Sequence, residues 1–393
     1  MLGTQRTTHS EAPLPKAVRV VRIETLIHSA YPKLLLLRIH GDDGRVGLGE
    51  TSYGAEQVSG FVHDQVAPYL LGRDAGQLDR HWKAIRRLGL GWGARAAEVR
   101  ALSAVDMALW DLFARRVDEP LYQVLGGLSR DRIRIYNTCA GYAYGVSRQG
   151  PTDPAAVDHR AAGPYEDQHR FLTDPAGLAR DLLAEGITAM KIWPFDRFAA
   201  DTEGQAIAAA DLEAGVGAFR EIRDAVGRRM DVALELHGLW NLPTAVQIAR
   251  AVAPYAPMWV EDPVPMDNPD VVAEFRRAAG VPTCASETLS TRAAFLPLFA
   301  RQAVDICMFD VSWVGGLSEA RRVAAMAEAY HLPVTPHDCV GPLTLAFSVH
   351  LSLNVPNALI QETVRAFILR DRHRAAADPR GPRLSARGSG RRD

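Results

Sequence analysis

Short apolar segments alternate with amphipathic helical segments after Gly127, and this rhythm constrains the fold more than any other feature of the chain. Helices fit at residues 211–226, 242–252 and 318–329. Strands that alternate with helices form βαβ units and a parallel sheet. The eight predicted strands, which imply a TIM-type α/β barrel over residues 129–365, are residues 132–138, 187–193, 231–236, 257–262, 281–287, 304–310, 332–337 and 358–362.

The N-terminal third has a different pattern. Residues 18–23 and 34–39 are β-type runs, and the second is followed by Asp42-Asp43-Gly44, a strong hairpin signal. Residues 97–115 carry a broad apolar face at helical spacing, and Pro120 follows shortly after them. These features predict a separate α+β domain over residues 17–128.

Three segments fit neither domain. Residues 1–16 are polar and are expected to form a disordered arm. Residues 142–170 are rich in Gly, Pro, Arg and Asp, so this long connection after the first barrel strand is expected to be functional or disordered. Residues 366–393 form an arginine-rich tail with few apolar residues, for which disorder is predicted.

Composition narrows the class of protein. Hydrophobic residues make up 47% and charged residues 23% of the chain, which is typical of a globular protein with a sizeable core. The net charge of −1 favours neither nucleic acid nor an anionic membrane as a partner. The four cysteines lack CxxC spacing and are read as free thiols. With no secretory signal or membrane-spanning run in the sequence, a cytoplasmic protein is expected.

Three acidic residues end three consecutive predicted strands, namely Glu235, Glu261 and Glu287. Barrel enzymes keep their chemistry at the carboxyl ends of the strands, and neighbouring strands bring these ends together. Three carboxylates in one semi-buried place need a cation to remain ionised. Oxygen ligands indicate Mg²⁺ rather than zinc. The alternative for each residue alone is that it caps a helix or pairs with a surface arginine.

His337 ends the seventh predicted barrel strand and Asp310 ends the sixth. A carboxylate beside an imidazole fixes the tautomer of the ring and raises its basicity, as a general base requires. A lone histidine at a strand end is more often structural, and the neighbouring Asp310 makes His337 a candidate base.

The spacing of several motifs resembles one enzyme family. Trp259-Val260-Glu261-Asp262-Pro263 resembles the W-[VIF]-E-[DE]-P motif of the mandelate racemase and muconate lactonizing enzymes of the enolase superfamily. Residues 101–127 resemble the helix that closes their capping domain, and Asp310 with residues 314–317 matches their sixth-strand signature. The resemblance covers roughly residues 17–365. It implies a modified TIM barrel with an α+β capping domain made mainly by the N-terminal third.

The resemblance also implies roles for individual residues. Glu235, Glu261 and Glu287 would be the metal ligands, although the first ligand of the family is usually Asp. In the racemases the second strand carries K-x-K, whereas here Lys191 is followed by Ile192 and Trp193. Lys191 would then hold the substrate carboxylate, and the loss of the second lysine argues against racemisation, which needs a base on each face.

The segment Glu235-Leu236-His237-Gly238 is similar to the D-x-H-G of galactonate and mannonate dehydratases. By that resemblance His237 would donate a proton to a departing 3-hydroxyl. Glu362, at the end of the eighth strand, would hydrogen-bond the substrate carboxylate in its protonated form. The resemblance therefore implies Mg²⁺-dependent dehydration of a sugar acid to a 2-keto-3-deoxy acid, with His337 and Asp310 as the base pair.

Other readings stay open at this point. On the same scaffold the chain could be an epimerase, a racemase or a cycloisomerase, since a fold does not fix a reaction. A reading of another class is an inactive or truncated homologue that binds metal or a sugar acid, because the tail replaces the family's usual return segment. Homo-oligomers are expected from the resemblance. The guesses for pocket residues are Trp193, His28, Tyr31 and Tyr53.

Overall fold

The computed structural model describes residues 17–29, 31–93, 95–141, 165–339, 341–367 and 385–388. The predicted arm at 1–16, most of the connection at 142–170 and most of the tail lie outside these described residues. Two sheets organise the described part. One has four strands and the other has eight.

The smaller sheet is antiparallel and has the order β12-β1-β2-β3. Its strands are β1 (Val20–His28), β2 (Tyr31–Gly41), β3 (Val46–Ser52) and β12 (Ser385–Gly388). The predicted hairpin joins β2 to β3, and Gly44 in its turn has a φ of 81°. The structure differs from the prediction of a disordered tail at β12, which pairs with the edge of β1. Free backbone groups on an edge strand accept such a partner whatever the composition of the added segment.

The N-terminal helices are Ala55–Phe61, Ala67–Leu70, Leu78–Leu88, Ala97–Val117 and Leu121–Val124, with a π-helical turn at Val62–Val66. Among them, Ala55–Phe61 and Ala97–Val117 pack on the smaller sheet, and Leu121–Val124 contacts the barrel helix Pro342–Asn354. The long helix Ala97–Val117 lies close against β3. A Cβ atom at Gly49 would stand 1.9 Å from the carbonyl oxygen of Ala104, so only glycine permits this approach.

The larger sheet is a parallel barrel with the order β10-β9-β8-β7-β6-β5-β4-β11. Its ends are joined by the single bridge Val334↔Ala358, so the barrel is nearly closed. All eight predicted strands occur, with shorter bounds, and the predicted barrel with an α+β cap is confirmed. The strands are β4 (Ile135–Thr138), β5 (Ala189–Ile192), β6 (Asp231–Glu235), β7 (Val260–Glu261), β8 (Thr283–Ala285), β9 (Ile306–Asp310), β10 (Val334–His337) and β11 (Gln361–Thr363).

Helices surround the barrel and bury their apolar faces against it. They are Asp167–Thr173, Pro175–Ala184, Ala209–Val226, Leu242–Val252, Pro269–Ala279, Thr291–Ala300, Gly316–Ala329 and Pro342–Asn354, with short 3₁₀ turns at Asp196–Phe198, Ala200–Thr202, Gly227–Arg229 and Ala253–Tyr255. A further 3₁₀ turn, Leu90–Trp92, follows the cap helix Leu78–Leu88. The four cysteines are free thiols, as predicted. None of the described helices is both long and apolar enough to cross a membrane.

Two carboxylates of the cap hold it on the barrel. Asp106 accepts hydrogen bonds from the backbone N–H (2.8 Å) and the hydroxyl (2.7 Å) of Ser318, in the first turn of Gly316–Ala329. Glu50 accepts them from the backbone N–H (3.0 Å) and the hydroxyl (2.7 Å) of Thr344, in the first turn of Pro342–Asn354. Carboxylates are stabilised at helix N-termini, where backbone donors lack helical partners. The cap is thereby fixed over the helices that follow β9 and β10.

Candidate active site

Three glutamates converge at the carboxyl ends of neighbouring barrel strands. Glu235 and Glu261 are the last residues of β6 and β7 and pair in register, and Glu287 lies just past β8. One oxygen of each carboxylate lies within 4.8 Å of the corresponding oxygens of the other two. Glu235 and Glu261 are buried, and Glu287 is partly exposed. The longer side chain of Glu235, where the family usually has Asp, therefore reaches the cluster.

The chemistry of this cluster fits a divalent cation. Burial and the neighbouring charge of Glu235 raise the pKa of Glu261 well above its ordinary value, although Lys191 opposes the shift. Such repulsion among buried carboxylates is relieved by a bound cation. Hard oxygen donors are ligands of the kind that Mg²⁺ and similar ions take. The three carboxylates together could hold a divalent metal.

Lys191, on β5, points its ammonium group into the same cluster. Its Nζ lies 2.5 Å from Glu261 Oε1, 3.0 Å from Glu362 Oε1 and 3.4 Å from Glu235 Oε2. Burial favours the neutral amine, but the charges of Glu261 and Glu362 outweigh it and raise the pKa of Lys191 well above its usual value. The side chain is therefore a fixed cation at the centre of the site.

His337 and Asp310 form the predicted pair at adjacent strand ends. They are in register across β10 and β9, and His337 Nδ1 lies 2.8 Å from Asp310 Oδ2. The other oxygen of Asp310 accepts hydrogen bonds from the backbone and hydroxyl of Ser312 at 2.6 and 2.7 Å. His337 Nε2 lies 2.8 Å from Glu287 Oε2. The ring thus turns one nitrogen to its aspartate and the other to the glutamate cluster.

Glu362, on β11, closes the other side of the cluster. Its Oε2 accepts a hydrogen bond from the backbone N–H of Asp338 at 2.9 Å and lies 3.7 Å from His337 Nε2. Burial raises the pKa of Glu362, but the positive charges of Lys191 and His337 outweigh it and lower the pKa below its ordinary value. The carboxyl group is therefore ionised beside these cations, whereas the sequence analysis expected a protonated group.

His237 joins the site from the loop after β6. Its Nδ1 lies 2.5 Å from Asp196 Oδ2, and its ring meets Trp193 edge-on at a centroid distance of 5.7 Å. Burial disfavours the charged ring, but Asp196 and Glu235 outweigh it and raise the pKa of His237 to about 9. The imidazole is consequently protonated at neutral pH in this environment. Asp196 was not among the predicted residues, because nothing in its spacing ties it to a histidine 41 positions later.

The cap residues divide into two groups. The Tyr53 ring lies 5.5 Å from that of Trp313, whose ring lies 5.1 Å from that of His337. Tyr53 is therefore linked to His337 through one aromatic residue, Trp313. The sequence analysis missed Trp313, although this residue follows the end of β9. His28 and Tyr31 instead contact each other, with ring centroids 5.7 Å apart, where β1 meets β2.

Two parts of this chain match known protein-domain families. Residues 15–126 match the N-terminal domain of the mandelate racemase and muconate lactonizing enzymes. Residues 175–385 match the enolase C-terminal domain-like family. The two matches correspond to the cap and to most of the barrel.

Individual relatives agree with these matches. A D-galactonate dehydratase of Xanthomonas euvesicatoria pv. vesicatoria is 29% identical over 347 residues, which cover 88% of this chain and 81% of the relative. A solved enolase of the mandelate racemase subgroup from Agrobacterium tumefaciens is 43% identical with a TM-score of 0.77, covering 89% of this chain and 86% of that one. A solved enolase protein from Sargasso Sea environmental sequence is 40% identical with a TM-score of 0.78, covering 89% and 86%. The chain therefore belongs to the mandelate racemase and muconate lactonizing enzyme family of the enolase superfamily.

Proposed function

We propose that this enzyme is a lyase that dehydrates a sugar acid, an aldonate or an aldarate, to a 2-keto-3-deoxy acid with the help of Mg²⁺. One observation carries the proposal. Two histidines, each held by its own aspartate, approach the same carboxylate cluster: His337 with Asp310 and His237 with Asp196. Dehydration needs a base to take the C2 proton and an acid to protonate the departing 3-hydroxyl. The D-galactonate dehydratases among its relatives support this reaction class.

Glu235, Glu261 and Glu287 are the residues that would hold Mg²⁺. When bound, the ion supplies positive charge that stabilises the dianion formed when the proton alpha to a carboxylate is removed. Lys191 supplies a second fixed positive charge beside the same cluster. In the proposal Lys191 holds the substrate carboxylate, and Glu362, which is ionised in the structure, would take up a proton in order to hydrogen-bond that group.

His337 is the proposed base. Asp310 holds Nδ1, so Nε2 is the atom that faces the cluster. Burial disfavours the charged ring, but Glu287 and Glu362 outweigh it and raise the pKa of His337 well above its ordinary value. A cation held by the glutamates would offset these charges and leave the neutral ring, whose Nε2 would take the C2 proton. The aspartate also stabilises the imidazolium that results. Trp313 packs on the ring, and this contact helps to fix its orientation.

His237 is the proposed acid. Asp196 holds the ring at Nδ1, which leaves Nε2 to donate a proton to the 3-hydroxyl. The C3–O bond then breaks, water leaves, and the enol product becomes the ketone. Racemisation would instead need a second base, and the position of the second lysine in racemases is occupied by Trp193. Dehydration is therefore favoured over racemisation.

The test is a screen of the purified full-length chain with Mg²⁺ against aldonic and aldaric acids, with detection of 2-keto-3-deoxy products. His337→Asn should lower kcat by roughly 10³-fold or more, because it removes the general base. Substrate affinity, measured by calorimetry, should change only a few-fold. His331→Asn is the control, since His331 is exposed and its φ of 60° suits asparagine.

Turnover retained by His337→Asn would reject His337 as the base. A folded, metal-binding wild type that dehydrates none of the acids would reject the dehydratase proposal. Epimerised acid without a ketone would assign the chain to the epimerases instead.

A further inference from the structure

Two cationic side chains of the cap lie at the aromatic wall beside the proposed base. Arg100, in the first turn of Ala97–Val117, places its Cζ 4.1 Å from the ring centroid of Trp313 and 5.7 Å from that of Tyr53. Lys33 Nζ lies 5.1 Å from the centroid of the same Tyr53 ring. The Trp313 ring in turn lies 5.1 Å from that of His337. Positive charge is therefore concentrated one aromatic ring away from the base.

The guanidinium of Arg100 is partly buried and poorly neutralised. Its Nη1 donates a hydrogen bond of 3.0 Å to the carbonyl oxygen of Ser52, and its other contacts are the two aromatic rings. Within the described ranges, no carboxylate forms an ion pair with it. Burial lowers the pKa of Arg100, and the charges of the Asp310 and Glu287 carboxylates oppose this shift. The guanidinium therefore interacts electrostatically with these carboxylates, although it forms no ion pair with either of them.

Charge is distributed unevenly between the two ends of the site. The metal-binding end contains Glu235, Glu261 and Glu287, and there a substrate carboxylate would meet the metal and Lys191. The cap end presents the guanidinium of Arg100, whose planar fork of N–H donors matches a carboxylate. A partly desolvated cation of this kind gains most from an anionic group.

We infer that Arg100 binds the distal carboxylate of the substrate, so the preferred substrate is a sugar diacid rather than a sugar monoacid. This inference rests on the proposed function, because it assumes that C2 lies at His337. In a six-carbon diacid the far carboxyl carbon is four carbon–carbon bonds from C2, roughly 5 Å along an extended chain in which each bond advances ~1.25 Å. That reach is compatible with the single aromatic ring that separates Arg100 from His337.

The experiment compares matched pairs of six-carbon acids, each pair being a monoacid and the diacid with the same configuration at C2 to C5. The ratio of kcat/KM for the diacid to that for the monoacid is measured with Mg²⁺. Arg100→Met should lower this ratio roughly 30- to 100-fold, the usual effect of losing hydrogen bonds to a charged group. Arg100→Lys should give a ratio between those of Arg100→Met and the wild type, because lysine keeps the charge but lacks the bidentate fork.

Arg115→Met is the matched control, since Arg115 is an exposed arginine of the same helix, paired with Asp111. Its ratio should equal that of the wild type. If the role of Arg100 is only structural, Arg100→Met would lower kcat/KM for the diacid and the monoacid alike. The ratio would then stay unchanged, and this outcome would overturn the inference. A wild type that dehydrates monoacids with no preference for diacids would overturn it too, while the proposed function would stand.

If the wild type turns over none of the acids, the proposed function fails, and equilibrium binding decides the inference separately. Calorimetry with each diacid and Mg²⁺ should then show affinity weakened at least 30-fold by Arg100→Met. Equal affinity in the wild type and Arg100→Met would reject the role of Arg100.

Discussion

Asp196 holds His237 at 2.5 Å between Oδ2 and Nδ1, and the two residues come from different βα loops of the barrel. The aspartate is buried and fixes the ring beside the glutamate cluster. If His237 is the acid that expels the 3-hydroxyl, then Asp196 is a positioning residue for that step alone. The two halves of the reaction can therefore be separated by substitution.

Asp196→Asn should slow dehydration by about 10²-fold, because the ring loses the carboxylate that orients and charges it. Exchange of the C2 proton with solvent should continue, since His337 and Asp310 are untouched. The measurement is product formation beside deuterium incorporation at C2 in D₂O, followed by NMR. Asp270→Asn, which changes an exposed carboxylate that pairs with Arg301, is the control. Loss of exchange together with dehydration would show that Asp196 supports the whole site.

The glutamate cluster should link metal binding to stability. Adding Mg²⁺ to chelator-treated protein should raise the melting temperature, because a ligand of the folded state stabilises it by ~2.7 kcal/mol at a hundredfold excess over Kd. Glu287→Gln should lose this increase, since the amide carries no charge. Glu274→Gln, which changes an exposed glutamate, is the control and should keep the increase in melting temperature. An equal increase in the wild type and Glu287→Gln would place the metal elsewhere.

The burial of Asp106 between the cap and the barrel should make stability depend on pH. Burial raises the pKa of Asp106 from 3.8 to about 7, against the hydrogen bonds from Ser318 that oppose it. The folded state therefore holds a proton that the unfolded state releases, and stability decreases as pH rises from about 4 to about 7.

Asp106→Asn should remove that part of the pH dependence. The difference in unfolding free energy between the variant and the wild type should move in favour of the variant across this range, by at most about 4 kcal/mol. Urea unfolding at a series of pH values measures it. A constant difference between pH 4 and 7 would contradict the raised pKa of Asp106.

The sequence by itself determined the barrel, because each strand is an apolar run bounded by helical segments. This alternation remains recognisable when the predicted boundaries are wrong by a few residues. It also indicated the glutamates, His337 and Asp310, since each of these ends a strand and parallel strands end on one side of a barrel. Local pattern and a fixed topology were sufficient for these residues.

Only the tertiary structure decided which residues outside the strand ends approach the site. Asp196 and Arg100 have no distinguishing spacing, because their contacts join segments far apart along the chain. Trp313 follows a strand end, but its contact with His337 forms only in the folded chain. The charge state of Glu362 likewise depended on Lys191 and His337 lying beside it. The sequence shows which ionisable groups are present. Their partners and pKa values depend on how the cap and the barrel pack together, because electrostatic interactions act through space.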